Sequence, residues 1–276
     1  DAFVPNPLPP SLDWNGAVRE VIEQAGEALG RFSRAMQSQS GAAGLLLRVD
    51  AMHAAHAEGQ ACTLRGLLQS EAAGRPANDG AQLALNYVAA FEHAAVRLDE
   101  LPLSLRLVRE MHYVLADGAV DPSTTPGYFR RSQNWLGPAG CALDKADFVP
   151  PPPAEMGDLM HNWEQYLHAN DDTPPVARVA IAHYQLLLLH PFLSLNAALA
   201  CLAASFILHV AGVVGAPSPL PGAFAGRSSA EFAQRALGLA RTGAWDDWLL
   251  FYACGLTEAA LGASEALRRL REVTEG

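Results

Sequence analysis

Clusters of basic residues are absent from this 276-residue sequence, in which 29 aspartates and glutamates outnumber 19 lysines and arginines to give a net charge of -10. Neutralising the phosphates of a nucleic acid requires clustered cations, so we expect no nucleic-acid partner. The longest apolar runs are interrupted by histidine, proline or glycine before they reach the roughly 20 residues that a membrane-spanning helix needs, so we expect no membrane partner.

Closely spaced cysteines are also lacking. Cys62, Cys141, Cys201 and Cys254 are widely separated and form no CxxC pair. We therefore expect neither a disulfide framework nor a metal site, and reduced thiols fit the pattern better. The opening segment DAFVPNPLPP has neither the basic nor the apolar region of a signal peptide. The sequence therefore predicts a cytoplasmic location.

Helical patterns dominate what is present. Apolar residues recur at helical spacing, and glycine and proline separate the segments. We predict helices over 14–38, 41–57, 79–97, 103–116, 154–169, 174–190, 196–211, 228–242 and 245–270. Leu64, Leu67 and Leu68 also recur at helical spacing before a loop at 74–76. The proline-rich stretch 216–222 is predicted to be a loop. Strand character is confined to one place, which predicts a small β-hairpin near 128–149.

One helix–loop–helix segment has the residues for chemistry. A long apolar helical pattern ends at His190, because Pro191 disfavours helical backbone in the residue before it. Asn196, a good N-cap, stands where the next helix begins. The start of a helix attracts anions, and a histidine facing it can act as a general base on a hydroxyl. The structural alternative is a histidine that is hydrogen-bonded at a helix end.

The same segment, LHPFLSLNAALA, resembles the active-site motif HPFxDGNGRxxR of the Fic (Fido-fold) family, with matches at His190, Pro191, Phe192 and Asn196. Four more segments resemble the family in the same order: FVPNPLPP at 3–10, HAEG at 56–59, GYFRRSQNWLG at 127–137 and WDDWL at 245–249. The resemblance implies an all-α, mainly helical Fic/Fido fold with a small β-hairpin. It also implies an N-terminal helical segment, 1–100, that packs on a Fic/Fido core, 101–276, as one unit.

The resemblance implies a specific reaction. Fic enzymes transfer AMP from ATP to a hydroxyl of a target protein, and His190 stands at the position of their general base. The family uses an acidic residue for magnesium, and two glycines and two arginines for the phosphates. At these positions this sequence has Ser194 (acidic), Leu195 and Ala197 (glycines), and Ala198 and Cys201 (arginines).

These replacements remove the groups that hold ATP and magnesium. Serine is a poor substitute for a carboxylate on Mg²⁺, and Leu195 and Ala197 add side chains where a phosphate must approach the backbone. The missing arginines would have given bidentate phosphate contacts. A single stabilising donor in an active site can be worth about 3–4 kcal/mol. We therefore expect no ATP or magnesium as cofactor, and a vestigial base at His190.

The family's inhibitory helix has its counterpart at Glu58 and Gly59. In the family that glutamate pairs with the second arginine, whose position is Cys201 here. An exposed or capping glutamate is the interpretation we favour, and an ion pair with another arginine is the alternative. His183 lies on the same helix face as His190, but core packing is favoured there over a two-histidine metal site.

The family's flap, the hairpin that binds the target as an added strand, has counterparts here at Arg130, Arg131, Gln133, Asn134 and Trp135. These residues dock a peptide by β-augmentation, or they brace the hairpin against the helices.

Two functional hypotheses follow. The first is a Fic-fold pseudoenzyme that binds a protein partner through the flap, or a second copy of itself through an apolar helix face. The second is a Fic-type transferase that uses His190 as base, either with another donor or in residual nucleotidyl transfer.

Overall fold

The computed structural model describes residues 2–14, 16–138 and 140–275. Within these residues the chain forms eleven α-helices: α1 (Gly16–Gln37), α2 (Ser40–Ala57), α3 (Leu64–Ala73), α4 (Asp79–Leu98), α5 (Leu105–Leu115), α6 (Met156–Leu167), α7 (Pro175–Leu189), α8 (Asn196–Val210), α9 (Pro221–Arg227), α10 (Ser229–Thr242) and α11 (Trp245–Glu275). The mainly α-helical fold predicted from the sequence is confirmed.

Short polar signals set the helix ends. Thr63, Asn78 and Ser104 have extended backbone, and each side chain accepts a hydrogen bond from the N–H three residues later, at 3.1, 2.8 and 3.5 Å. Such caps satisfy N–H groups that have no partner within the helix. Gly74 and Gly243 end α3 and α10 in the left-handed conformation, which glycine adopts without strain. These local signals are the reason that the predicted helices are found with only small shifts at their ends.

The centre of the fold is the pair α7 and α8. Both helices are apolar on nearly every side, and almost all of their residues are buried, as expected for helices surrounded by protein. Helix α7 contacts α1, α6 and α11, while α8 contacts α2, α5 and α9. Helix α2 also packs on α9 and α4. This packing brings the end of α2 to the beginning of α8.

Two predictions about the less regular segments are wrong. The stretch 216–222 is not loop throughout, since α9 begins at Pro221, where proline suits the first turn of a helix. Within the described part of 128–149 the structure has a single antiparallel bridge, Leu136 with Phe148, and no strand. The physical reason is that Arg130 N–H donates to Pro191 O at 2.9 Å, so this end of the segment pairs with the α7–α8 loop.

None of the described helices combines the length and the apolar character that crossing a bilayer requires. The four cysteines are free thiols, with Cys62 and Cys201 buried, Cys141 partly buried and Cys254 exposed.

Candidate functional site

The α7–α8 loop begins and ends in the left-handed backbone region. His190 closes α7 with φ of 49°, and Leu195 precedes α8 with φ of 58°. The position expected for the N-cap was wrong by one residue, because Leu195 is the N-cap and Asn196 is the first helical residue. Asn196 instead ties the loop to itself. Its Oδ1 accepts from Phe192 N–H at 3.0 Å, and its Nδ2 donates to Phe192 O at 2.9 Å.

His190 accepts hydrogen bonds at Nδ1 from two asparagine amides, Asn134 Nδ2 at 2.9 Å and Asn196 Nδ2 at 3.2 Å. The orientation of Asn196 is fixed because its Oδ1 is engaged by Phe192 N–H. Nδ1 is therefore an acceptor, and the proton of the neutral ring lies on Nε2. Burial, together with the nearby Arg130 guanidinium, lowers the pKa of His190 to about 3, so the ring is neutral around pH 7.

Three of the flap residues are hydrogen-bonded within the protein. The buried Arg130 guanidinium donates to the carbonyl oxygens of His190, Ser132, Pro151 and Leu189. Gln133 Nε2 donates to Asn134 O and Pro150 O, each at 2.9 Å. Asn134 Nδ2 contacts Phe192 O at 3.1 Å in addition to His190. These contacts brace the segment against the end of α7.

The other two flap residues face solvent. Arg131 is exposed, and Trp135 is 39% exposed although its indole N–H donates to Cys141 O at 2.9 Å. The flap residues thus divide into a bracing set and an exposed set.

Glu58 ends α2 and reaches the start of α8. Its Oε1 accepts from Ala198 N–H at 2.9 Å, and the carboxylate also receives the N–H of Ala197. Gly59, with φ of +74°, lets the chain turn sharply just after it. Burial raises the pKa of the Glu58 carboxyl, and the two backbone hydrogen bonds oppose that shift. Glu58 is thus a capping glutamate, but the helix that it caps lies 140 residues further along the chain.

Among the described residues no arginine forms an ion pair with Glu58. The position where the family has the arginine that pairs with the glutamate is the fully buried Cys201. Burial raises the pKa of its thiol well above the ordinary value, and the negative charges of Asp50 and Glu58 raise it further. The charged groups around Cys201 are therefore acidic, whereas a phosphate at this position would need cations.

The remaining nucleotide-site positions are apolar or occupied by local contacts. Leu195 and Ala198 are buried in the core, and Ala197 is partly exposed. The Ser194 carbonyl accepts from His112 Nε2 at 3.1 Å, while the buried Ser194 hydroxyl has no hydrogen-bond partner in the described structure. The described residues include no group of three or more histidines, cysteines or acids that could bind a metal ion.

A carboxylate already accepts the N–H groups at the start of α8, which is where an anion binds a helix. The neighbouring positions add no positive charge and no carboxylate directed at a cation. Adding a phosphate there would place a second anion beside Glu58.

Sequence reasoning missed two buried polar residues of this region. Asp50 lies on α2. Its carboxylate accepts hydrogen bonds from Tyr87 OH and from Ala223 N–H, both at 2.8 Å, and so anchors the start of α9. Burial raises the pKa of Asp50 to about 7. His112 stacks on Phe192 with ring centroids 3.8 Å apart. For Asp50 the available signal was that it is the one acidic residue in the Ala/Leu-rich segment 41–57, because an acidic residue is rare in a core unless it is paired or hydrogen-bonded.

His183, the second histidine of α7, packs in the core as favoured from the sequence. Its Nδ1 lies 2.8 Å from Tyr252 OH, and burial lowers the pKa of the ring to about 3.

Curated relatives of this chain include several proteins named protein adenylyltransferase Fic. It is 28% identical over 198 residues to the "Protein adenylyltransferase Fic" of Drosophila willistoni, a match that covers 67% of this chain and 34% of that protein. The protein of the same name from Drosophila grimshawi is 32% identical over 119 residues, covering 42% of this chain and 21% of its own length. The chain spans about a third or less of these relatives.

Solved structures of similar fold come from bacteria and from an animal. A Fic family protein from Desulfovibrio desulfuricans G20 superimposes with a TM-score of 0.74 at 18% identity, covering 94% of this chain and 77% of that one. A Fic-domain signalling protein from Bacteroides thetaiotaomicron gives a TM-score of 0.66 at 16% identity, with coverage of 90% and 97%. C. elegans Fic-1 gives 0.61 at 20% identity, with coverage of 93% and 73%.

At these identities the structures establish the fold alone. Residues 102–208 also match the model of the Fic/DOC family, and this range contains both the flap segment and the α7–α8 loop. Together with the adenylyltransferase relatives and the shared fold, the match shows that residues 102–208 of this chain belong to the Fic/DOC family.

Proposed function

We propose that this chain is a Fic-fold protein that does not transfer AMP and that acts by binding a protein partner. The observation that carries the proposal is the Glu58 carboxylate, which accepts the N–H groups of Ala197 and Ala198 at the start of α8. That place attracts anions because the unpaired N–H groups and the helix dipole are both positive. An internal carboxylate at 2.9 Å competes directly with any phosphate.

The neighbouring positions favour the Glu58 carboxylate over a phosphate in that competition. Ala198 and Cys201 replace the family's arginines, so a phosphate entering the site would find no cation to offset its loss of hydration. Electrostatic stabilisation of the transferring group is usually the largest part of catalysis. We therefore propose that neither ATP nor magnesium is bound at this site.

The state of His190 supports the same conclusion. A base at Nε2 needs its proton on Nδ1, but Nδ1 accepts from Asn134 and Asn196. Deprotonation of a hydroxyl at Nε2 would require His190 first to exchange tautomers and lose two hydrogen bonds. Each of these hydrogen bonds contributes about 0.5–1.5 kcal/mol, so their loss disfavours the tautomer that could act as a base at Nε2.

The exposed part of the flap supports the binding half of the proposal. Leu136 N–H donates to Phe148 O, and Leu136 O accepts from Asp147 N–H. The backbone groups of the preceding residue, Trp135, therefore point away from Phe148. Trp135 has no backbone partner among the described residues, and its side chain and that of Tyr128 are 39% and 60% exposed. An extended segment of a partner fits this edge, with the aromatic side chains as anchors.

Labelled transfer tests the enzymatic half of the proposal. The chain and its His190→Ala variant are incubated with a cell lysate and ATP labelled at the α-phosphate. We expect no label that depends on His190. Label that disappears in His190→Ala would contradict the proposal.

Photo-crosslinking tests the binding half. A photoreactive amino acid replaces Trp135 in one protein and the 53% exposed Leu261, far along the sequence on α11, in the control. We expect a discrete protein adduct at position 135 and none at 261. Equal adducts at both positions would argue against docking at the flap. A crosslink to a second copy of this chain would show that the partner is the chain itself, in a homodimer.

The second candidate function is a Fic-type transferase with another donor, favoured by the retention of His190 and Asn196. Nucleotides other than ATP and a phosphocholine-type donor replace ATP in the transfer assay. Label from any of them that requires His190 would support this candidate over the first.

A further inference from the structure

A cleft of about 630 Å³ lies between α5 and the start of the flap. Helix α5 contributes Arg109 and Tyr113 to its lining, and the other chain segment contributes Pro126, Gly127 and Tyr128. Gly127 packs closely on α5, since a Cβ there would lie only 3.2 Å from Arg109 O and from Tyr113 Cβ. This close packing fixes the position of the flap start on α5.

The guanidinium of Arg109 is held in place while its outer end stays free. Its Nε donates to Gly127 O at 2.8 Å, and its Cζ lies 5.0 Å from the ring centre of Tyr128 and 6.0 Å from that of Phe129. The two Nη atoms have no hydrogen-bond partner within the described part of the chain. A guanidinium binds a carboxylate through two parallel N–H groups, and holding it in place beforehand lowers the entropic cost of binding. Arg109 is therefore a preorganised donor for an anion.

Two exposed aromatic side chains line the same cleft. Tyr113 is 65% exposed and Tyr128 is 60% exposed, so a molecule that enters the cleft can reach both rings. Exposed tyrosines with few rotatable bonds are frequent anchors of protein interfaces, where they pack against apolar or aromatic groups. The cleft thus offers apolar contact area directly beside a free cationic donor.

The only acidic residue in the described lining, Glu110, is already neutralised. Its carboxylate accepts from Arg97 Nε and Arg106 Nε, each at 3.0 Å, and lies 3.1 Å from His93 Nε2. The charge of Arg109 is therefore not cancelled within the cleft, although the chain as a whole carries a net charge of -10. One unpaired guanidinium balances one negative charge, which favours a carboxylate over a doubly charged phosphate.

We propose that this cleft docks an extended acidic segment of a protein partner. An aspartate or glutamate of the partner binds the Nη atoms of Arg109, and a neighbouring apolar or aromatic side chain packs on Tyr113 and Tyr128. The inference rests on the binding half of the proposed function, because Tyr128 is also an anchor of the exposed flap edge. It adds the chemistry of the segment that binds there.

The probe is a short peptide with one glutamate between two phenylalanines, and glycine and serine elsewhere. It is titrated into the ¹⁵N-labelled chain while NMR follows the Nε–H signal of Arg109, assigned with Arg109→Lys, and the backbone N–H of Tyr128. We expect saturable shifts of both signals. The same peptide with glutamine in place of glutamate should bind about tenfold more weakly, because a hydrogen bond to a charged group is the stronger one.

Two variants test the two parts of the cleft. Arg109→Lys keeps the positive charge but loses the paired N–H groups, so binding followed at Tyr128 should weaken about tenfold. Tyr113→Ala leaves the Arg109 contacts in place and changes only an exposed ring, and it should weaken binding at least about threefold.

Arg235→Lys is the matched control and should bind as the parent chain does. Arg235 also lies over an aromatic ring, 5.3 Å from the centre of Phe251, but it is on α10 and forms an ion pair with Glu231 at 3.3 Å.

Four results would overturn the inference. The first is the absence of a saturable shift up to the solubility of the peptide. The second is equal binding of the glutamine peptide, and the third is equal affinity in the parent chain, Arg109→Lys and Tyr113→Ala. The fourth is binding at least as tight by acetate alone or by a phosphoserine version of the peptide, since these would identify a small-anion or a phosphate site.

This inference and the proposed function fail by different results. A discrete adduct at position 135 without peptide binding at Arg109 would overturn only the inference. Peptide binding in the cleft together with label that depends on His190 would overturn only the enzymatic half of the proposed function.

Discussion

Replacing Glu58 with alanine removes the acceptor for two N–H groups at the start of α8, those of Ala197 and Ala198. Loss of a helix-capping side chain costs about 0.5–2 kcal/mol, and leaving a buried donor unsatisfied costs about 1–3 kcal/mol. Water that enters the space left by the Glu58 side chain accepts part of these hydrogen bonds and so reduces the cost. We therefore expect Glu58→Ala to lower the free energy of unfolding by about 2 kcal/mol at neutral pH.

Glu58→Gln separates the charge from the hydrogen bond, because glutamine keeps an acceptor oxygen. Burial raises the pKa of Glu58 in the folded state, so the folded chain binds a proton more readily than the unfolded chain. The free energy of unfolding of the parent chain must then fall as pH rises from the unfolded pKa through the raised folded one. Glutamine does not titrate. Glu58→Gln should therefore gain stability relative to the parent chain as pH rises.

Urea denaturation between about pH 4 and pH 8 measures both effects. Glu27 on α1 supplies the matched controls Glu27→Ala and Glu27→Gln, since its side chain is 75% exposed. The reasoning would be refuted if Glu58→Ala were no more destabilising than Glu27→Ala. A stability difference between Glu58→Gln and the parent chain that stays constant with pH would refute the burial argument.

Four further predictions concern the same region. The ¹⁵N chemical shifts of His190 should report a neutral ring with its proton on Nε2 down to about pH 4, and a protonated Nδ1 at neutral pH would contradict the hydrogen-bond assignment. Asp50→Asn should remove a pH dependence: burial raises the folded pKa of Asp50 to about 7, so the parent chain loses stability as pH rises from its unfolded value to about 7, and the variant should not. Arg130→Lys should lower the free energy of unfolding by about 2 kcal/mol, because an ammonium cannot span the four carbonyl oxygens, and equal urea midpoints would count against this role. Leu195→Gly should be about 1 kcal/mol more stable than Leu195→Ala in thermal melts despite its smaller side chain, because φ is 58° there.

Much of the fold could be predicted from the sequence because its signals are local. Thr63, Asn78 and Ser104 cap the helices that follow them, and Gly74 and Gly243 end the preceding ones. Pro191 likewise fixes where α7 ends. Each of these preferences acts within a few residues of the chain, so a reading of the sequence finds it.

The hairpin could not be predicted correctly because its partners are distant in sequence. The segment after Gly127 has the composition of a strand, but Arg130 uses its backbone N–H and its guanidinium on the end of α7, 60 residues away. A local pattern cannot indicate that the hydrogen bonds of a strand are directed elsewhere.

The hydrogen-bond partners of Glu58 could not be predicted from the sequence for the same reason. The sequence favours an exposed or capping glutamate, but the N–H groups that Glu58 caps lie about 140 residues away on α8. Asp50 is similar, since its acceptor atoms meet Tyr87 and Ala223 only when α2, α4 and α9 pack together. The types of residue indicated buried polar chemistry, and only the packing showed where each group is satisfied.

Titration calorimetry with ATP and magnesium tests the central claim most directly, which is that an internal carboxylate fills the anion site at the start of α8. We predict no measurable heat of binding for the parent chain up to millimolar ATP. Glu58→Ala should bind at most weakly, because the cations remain missing at Ala198 and Cys201. Micromolar binding by the parent chain would contradict the claim.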